Sequence, residues 1–579
     1  MTQKYYFVCS IGPVQDFIAT ARTSQDLWFG SWMLSELAKA AAKALKDAGH
    51  TLIFPAPEMD LSRPDVDVTN KVVTMLESGT PQQAADAVGA AIEGRRNALR
   101  DDSFGRVQGK FNDGLAQTQL EDLTEFYWAA APVNNDYYDT ARKRAEALLA
   151  ARKNTRDFHQ THGKPGLPKS SLDGWRESVL PKEPEKGSPF GKFKAEKGES
   201  LSGIDLLKRW GERTSNIYFE STTDLAAKPF IINLDSQIGQ ERRVELQKTI
   251  YQLLKKYTER GETLGTLFYV DRLAQLIEKE KYPENFRAEF VGLLRENGVK
   301  GEPSPYYALL QADGDNMGKT IDAQTEQGQH SKLSQALSDF DKDAKDIIKN
   351  QRGIPVYVGG DDVLAYLPLH TALECVVELN TCFEKWVGTK FDFIDDEQKK
   401  RPSLSVGLAI AHHLTPLSDV LEQARNAEKA AKKVKDKNGL VISMSKRGGS
   451  ERLVTGKLPE LSGRMETLIG YSRPNKDGKV AISHGAAYEL EELQRRLDIP
   501  DLDKKALREM LEKEAIRIIG RKRESGGDEK MKEETRQKFE DWFKDENLSL
   551  NELAGEMVIA AELAKAYEMA NIPLKEETK

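Results

Sequence analysis

The sequence predicts a multidomain α+β protein whose clearest unit, over 301–450, is a ferredoxin-like domain of the split βαβ kind. Three observations predict this. The chain has 579 residues, too many for one hydrophobic core. Residues 301–450 alternate β-α-β-β-α-β, with one late strand appended. The N-terminal segment also opens with β-α-β grammar, whereas the last part of the chain is charged and helical.

In the first domain, 1–150, Tyr5 to Ser10 reads as a strand. Gly12-Pro13 should open a helix, because proline at the first helical position loses no hydrogen bond. Val14, Phe17, Ile18 and Ala21 recur at helical spacing, and Trp28, Phe29 and Trp32 are expected in the core for the same reason. A helix from Trp32 to Leu45 leads to a strand at Thr51 to Phe54, closed by Pro55 and Pro57. Another strand is expected at Phe126 to Ala130.

Residues 151–300 form an intervening mixed and helical domain. From Lys153 to Ser200 the composition turns to Lys, Gly, Pro and Ser, as in a solvated loop centred on Lys182 to Gly187. Helical sequence returns at Glu241 to Tyr257 and Arg272 to Lys281, and Asn297 to Pro305 reads as a linker.

In the second domain, strands are expected at Tyr306 to Ala312, Ile354 to Val358, Val363 to Leu367, Leu404 to Ala411 and Leu440 to Ser443. Helices are expected at Ser331 to Lys349, Leu373 to Trp386 and Ser418 to Val434. Residues 451–579 form a C-terminal helical domain, including Lys504 to Ile519 and Asn551 to Met569.

A net charge of −7 argues against a protein that grips nucleic acid by overall positive charge. The three cysteines, Cys9, Cys375 and Cys382, suit buried free thiols in a reducing compartment. No apolar run is long enough to span a bilayer, so the cytoplasm is expected and no membrane partner.

The chemistry concentrates in two clusters. Gly359-Gly360-Asp361-Asp362 lies between Val-rich strands and suits a hairpin turn that needs positive φ. In Asp313-Gly314-Asp315 the acidic residues emerge at the end of another strand, and the period of two points Asp313 and Asp315 to one side. In a β-α-β-β fold the first strand adjoins the hairpin, so Asp313 should face Asp361 and Asp362. Converging carboxylates repel one another unless a divalent cation joins them, and oxygen ligands favour Mg²⁺ or Mn²⁺. Such ions suit attack of a nucleotide 3′-hydroxyl on the α-phosphate of ATP. A two-metal nuclease could use the same carboxylates, but Gly314, Gly359 and Gly360 favour close approach of a triphosphate to backbone N–H groups. Among the lysines after 428, Lys432 is the candidate for the triphosphate, and most of that run is a solvated face. Ser10, Gly12 and Gln15 sit where the first strand meets a helix start, a position suited to phosphate.

Ser10 to Ile18 with its continuation through Ser31, together with Asp313 to Gly318 and Gly359 to Asp362, closely resembles the large polymerase-cyclase subunit of type III-B CRISPR (Cmr) effector complexes. Smaller echoes lie at Pro64 to Lys71 and Leu206 to Arg209. The resemblance implies two facing palm domains of nucleotide-cyclase type, each holding one ATP. It implies an ATP-dependent synthase of cyclic oligoadenylates that works with other Cmr-type subunits, guide CRISPR RNA and target RNA. Asp313, Asp361 and Asp362 would hold the metals, and the first palm would bind the acceptor ATP. Related readings transfer AMP to another acceptor such as S-adenosylmethionine, or keep only a scaffold that binds RNA. Two departures stand out. The chain starts at the first palm without the His-Asp nuclease domain of many members, so DNase activity is not expected. Ser170 and Asp173 stand where members often carry a zinc-binding Cys-x-x-Cys, so no zinc is expected.

Overall fold

A computed structural model describes residues 3–133, 137–155, 166–181, 191–195, 198–211, 220–255, 264–278, 283–446, 448, 451–475, 478–483, 485–496, 504–521, 532–545 and 548–572. The loop centre at 182–187 lies outside the described residues.

The first domain runs β1 (Tyr5–Gly12), α1 (Gln15–Ala19), α2 (Ser24–Asp47), β2 (Thr51–Phe54), β3 (Lys71–Leu76), α3 (Pro81–Gly105), α4 (Asp113–Glu121), β4 (Glu125–Pro132) and α5 (Tyr138–Asn154). Its antiparallel sheet has the order β2-β3-β1-β4, the ferredoxin-like arrangement. The expected N-terminal helix is different. α1 starts after Pro13 and ends at Ala19, and α2 begins afresh at Thr23, whose hydroxyl caps Asp26 N–H while Asp26 returns a bond to the Thr23 N–H. Apolar periodicity runs through this break and cannot reveal it.

The intervening helices are α6 (Gly203–Trp210), α7 (Thr222–Ile238), α8 (Gln240–Lys255), α9 (Leu264–Phe268), α10 (Val270–Glu278) and α11 (Phe286–Glu296). α7 to α11 gather around Phe230, Phe268, Phe286 and Phe290, while α6 packs on the first domain through Leu206, Leu207 and Trp210.

The second domain comprises β5 (Tyr306–Asp315), α12 (Met317–Ala323), α13 (Gln327–Asn350), β6 (Ile354–Gly359), β7 (Asp362–Leu367), α14 (Ala372–Phe383), the hairpin β8 (Phe393–Asp395) and β9 (Gln398–Lys400), β10 (Ser403–His412), α15 (Leu417–Ala431), β11 (Gly439–Met444) and β12 (Arg452–Lys457). Its sheet has the order β12-β11-β10-β5-β7-β6. Strands β6-β7-β5-β10 repeat the arrangement of the first domain, so the chain holds two ferredoxin-like palms. Alternation along β5 sends Ala308, Leu310 and Ala312 to α13 and α14, and Tyr307 and Leu309 to α7 and α15. With both faces covered, β5 is fixed at the sheet centre.

Helices α16 (Leu458–Ser472), α17 (Gly485–Arg496), α18 (Lys504–Arg521), α19 (Glu533–Phe543) and α20 (Leu550–Met569) complete the chain. They share one hydrophobic core with the second palm, and Arg464 pairs with the buried Glu556 at 2.6 Å.

Candidate active site

The two palms meet over the hairpin between β6 and β7. Gly359 pairs with Asp362 to close the turn. Gly360 occupies its first central position with φ +71°, which an L side chain resists. Asp361 follows, and Asp362 opens β7. Gly314 explains how β5 approaches this turn, because a Cβ there would stand 2.7 Å from Asp361 Cβ. The missing methyl lets Asp361 lie against the end of β5. The structure therefore brings Asp313, Asp361 and Asp362 together.

Electrostatics mark the cluster. Loss of bulk water raises the pKa of Asp361 well above the carboxylate range, and repulsion from Asp362 and Asp313 adds to it. Asp362 stands at the cleft rim and is exposed to solvent, yet crowding by the protein and repulsion from Asp313 raise it too, while Lys432 opposes the rise. Lys432, just past the end of α15, pairs through Nζ with Asp313 Oδ2 and lies 3.4 Å from Glu428 Oε1. Against its own desolvation, these acids hold its ammonium above the usual range.

The donor set is oxygen-only, and a cation already sits on one member as an ammonium, so the chemistry fits a hard divalent ion. Among the described residues no three carboxyl, imidazole or thiol groups converge on one metal-sized point. The protein would thus supply part of a coordination shell, to be completed by phosphate and water, as is usual for Mg²⁺.

A cavity of about 240 Å³ opens beside the hairpin. The second palm lines it with Met317, Ile321, His330, Ser334, Leu337, Ser338, Asp341 and the Gly359–Asp362 turn, and the first palm with Tyr6, Phe54, Asp67 to Lys71, Arg142 and Glu146. Contacts between the palms frame it. His330 Nδ1 and Tyr138 Oη are 2.9 Å apart, Arg142 bonds Asp322 at 2.8 Å, and Lys345 pairs with Asp67 at 2.6 Å.

Asp341 is a site residue that the sequence reading missed. Its Oδ2 accepts the Gly360 N–H at 3.1 Å and its Oδ1 has no partner among the described residues. Burial raises this carboxyl strongly, partly offset by the Gly360 N–H. The available signal was faint: an aspartate beside the apolar stripe Leu333, Leu337, Phe340 and Ala344 of α13.

Other sequence candidates sit elsewhere. Asp315, buried at 2% exposure, accepts from Ser403 Oγ at 2.7 Å, Ser405 Oγ at 2.8 Å and Asn438 N–H at 3.0 Å, so its oxygens brace β5 against β10 and β11. Ser10 is buried on β1 beside Lys71 of β3, with Lys153 Nζ 3.4 Å from its hydroxyl. Ser10, Gly12 and Gln15 do not line the cavity, whereas Thr69, Asn70 and Lys71 do. Ser170 donates to Asp205 at 2.6 Å, and Asp173 pairs with Arg176 at 2.9 Å. Phe29 is in the core as expected, but Trp28 and Trp32 are half-exposed and stack on each other. All three cysteines are free and buried.

Residues 306–441 match the family model of the Cas10/Cmr2 second palm domain, and residues 6–96 match that of the CRISPR-associated protein Cmr2 N-terminal region. Two separate parts of the chain thus match models of the Cas10/Cmr2 family. It is 33% identical over 177 residues to CRISPR system Cmr subunit Cmr2 of Pyrococcus furiosus, a match covering 26% of this chain and 20% of that protein. The type III-B Cmr-beta complex in its apo state contains a chain of the same fold, with TM-score 0.59 and 15% identity over 89% of this chain and 77% of that one. The form bound to cognate target RNA gives the same TM-score and identity over 89% and 78%. A Csm1–Csm4 cassette in complex with pppApA gives TM-score 0.50 at 13% identity, covering 97% of this chain and 69% of that one. No helix among the described residues is long and apolar enough to cross a membrane.

Proposed function

We propose that this chain joins ATP molecules into cyclic oligoadenylates as the large subunit of a type III-B effector complex, working in the cytoplasm with other Cmr-type subunits, guide CRISPR RNA and target RNA. The observation that carries this reading is the meeting of Asp313, Asp361 and Asp362 beside a cavity that both palms line. The Csm1–Csm4 likeness supports it, since that cassette is in complex with pppApA.

In the reaction, the 3′-oxygen of one ATP bonds to the α-phosphorus of another, the bond from that phosphorus to the β-phosphate bridge breaks, and pyrophosphate leaves. Asp313, Asp361 and Asp362 would hold Mg²⁺ or Mn²⁺, which supplies activation of the hydroxyl and neutralisation of the leaving charge. Lys432 brings a fixed positive charge to the phosphates. Asp341 holds the turn through Gly360 N–H, and the glycines let phosphate oxygens approach the main chain. The ties from Tyr138 and Arg142 to the second palm set the spacing of the two nucleotides.

The test is mass spectrometry of products from purified complex, matched target RNA, ATP and Mn²⁺. Cyclic oligoadenylates are expected with wild-type protein and none with Asp361→Asn, Asp362→Asn. A different adenylated product would replace this reading with AMP transfer to another acceptor, and no product would leave a scaffold.

A further inference from the structure

The connection from α15 to β11 is strained. Asp436, Lys437 and Asn438 stand in succession at φ +58°, +61° and +51°. L residues enter this left-handed region singly, because Cβ crowds the carbonyl oxygen, and a run of three persists only where its surroundings hold it. The residue that follows shows how tightly the chain doubles back. At Gly439 a Cβ would stand 2.2 Å from the oxygen of Ala431, the last residue of α15, so β11 starts directly against the end of that helix.

Hydrogen bonds hold the turn, and a carboxylate is at their centre. Asp315 Oδ2 accepts the Asn438 N–H at 3.0 Å and the Ser405 hydroxyl at 2.8 Å, and Ser405 Oγ in turn accepts the Gly439 N–H at 3.2 Å. Asn380 Nδ2 donates to Asn438 Oδ1 at 2.7 Å, and Lys457 Nζ to Lys437 O at 2.8 Å. Asp315 is buried, so bulk water does not compete for its donors, and hydrogen bonds to an ionised acceptor are the strong ones.

The other end of the same connection carries Lys432. Its Nζ pairs with Asp313, two residues before Asp315 on the same face of β5, and its carbonyl accepts from Lys437 Nζ. Residues 432–438 are thus pinned to one strand at both ends, by an ammonium on Asp313 and by a main-chain N–H on Asp315. The helix before them has little room to shift. At Gly407 of β10 a Cβ would stand 2.2 Å from Glu428 N, so the backbones of α15 and β10 touch one turn before Lys432.

We propose that Asp315 is a positioning residue for nucleotidyl transfer: by holding the left-handed turn 436–438 it aims the Lys432 ammonium at the carboxylate cluster, where the triphosphate of ATP would lie. This rests on the ATP reading of that cluster, and it gives Asp315 a role without contact to metal or nucleotide. A brace that served stability alone would leave the KM for ATP unchanged in a variant that still folds.

The test is a double-mutant cycle in the purified complex, read as pyrophosphate release against ATP concentration with matched target RNA and Mn²⁺. Lys432→Ala should raise the KM for ATP about tenfold, the effect of losing one charge-assisted contact. Asp315→Ala should raise it by a similar factor and change kcat less. Asp315→Asn, whose amide oxygen can still accept the Asn438 N–H, should recover most of the affinity. The double variant Asp315→Ala, Lys432→Ala should be no worse than Lys432→Ala alone, because the turn then has no ammonium to aim. Hydrogen exchange without ATP supplies a second arm: the amides of 432–439 should exchange faster in Asp315→Ala than in wild type, with the global melt retained. That arm needs no turnover, so it stands or falls apart from the nucleotidyl-transfer reading, whose own failure would appear as no product from wild type. Should Asp315→Ala not assemble, Ser405→Ala removes the link to Gly439 while keeping the carboxylate, and the same cycle and exchange apply to it. A wild-type KM in the assembled variant overturns the proposal. So do additive losses in the double variant, or unchanged exchange over 432–439.

Discussion

Replacing Gly314 by alanine tests whether the acidic cluster works through the packing of Asp361 on β5. The added Cβ would stand 2.7 Å from both Asp361 Cβ and Met317 Cγ, and 2.9 Å from Asp361 Oδ2. Carbon atoms do not tolerate such separations, so the hairpin must move by several tenths of an ångström or more. Overpacking of this kind costs about 1–3 kcal/mol of stability. Displacing a reacting group by about 1 Å can cost about a hundredfold in rate, so the expected result is a fall in pyrophosphate release of roughly that size with the fold intact. Gly318→Ala is the matched control. It adds the same methyl to the adjacent helix, where nothing lies within 4 Å, and alanine favours a helix over glycine by up to about 1 kcal/mol. Steady-state pyrophosphate release and thermal melts should be measured on both variants in the assembled complex. Full turnover in Gly314→Ala would refute the view that Asp361 must lie against β5, as would equal losses in the two variants.

Asp361→Asn with Asp362→Asn should abolish synthesis while leaving the melting temperature unchanged or higher, because it removes charges that repel each other in a desolvated site; turnover and melting on one preparation decide it. Lys432→Ala should raise the KM for ATP and change stability by no more than about 1 kcal/mol, since this pair is part-exposed; substrate titrations check the first point and denaturant midpoints the second. His370, 1% exposed, gives a pH test: desolvation, then repulsion from Arg352 and Lys228, lowers its pKa from the ordinary histidine value of about 6.5 to about 4. The unfolded chain binds the proton first, so this contribution is fully present above pH ~6.5 and is lost as pH falls towards ~4, amounting to about 3 kcal/mol. In His370→Gln that extra acid sensitivity should be absent, as urea midpoints measured across this range will show.

Much of the second palm was legible because its elements obey one local rule at a time. β5, β6, β7, β10 and β11 alternate or form short Val-rich runs, and Gly359-Gly360 marks the turn between two of them. β3 escaped notice because Val72 to Leu76 are all buried, between β1 and β2 and under helices, which erases alternation. β12 was read as helical because Leu453 and Val454 are surrounded by charge, and its strand identity comes from pairing with β11. Trp28 and Trp32 sit four residues apart, so they share one face of α2, while Phe29 points about 100° away into the core. Helical spacing could say that the two tryptophans lie together, but not whether another layer covers them.

The site was legible only where chemistry and strand order coincide. Asp313 and the turn could be joined from sequence because a ferredoxin-like order makes their strands neighbours. That order could not separate Asp313 from Asp315, which share a face of β5. What separates them is the partner strand: Ser403 and Ser405 on β10 supply two hydroxyls that consume the Asp315 oxygens, whereas Asp313 meets the Lys432 ammonium. A carboxylate satisfied by hydroxyls and a main-chain N–H has little reason to recruit a metal. Asp313, by contrast, is paired with an ammonium and lies beside two carboxyls raised by desolvation and mutual repulsion, the setting in which the proposed divalent ion would be favourable. The different environments of Asp313 and Asp315 therefore arise from contacts more than eighty residues apart in sequence, which local spacing does not encode.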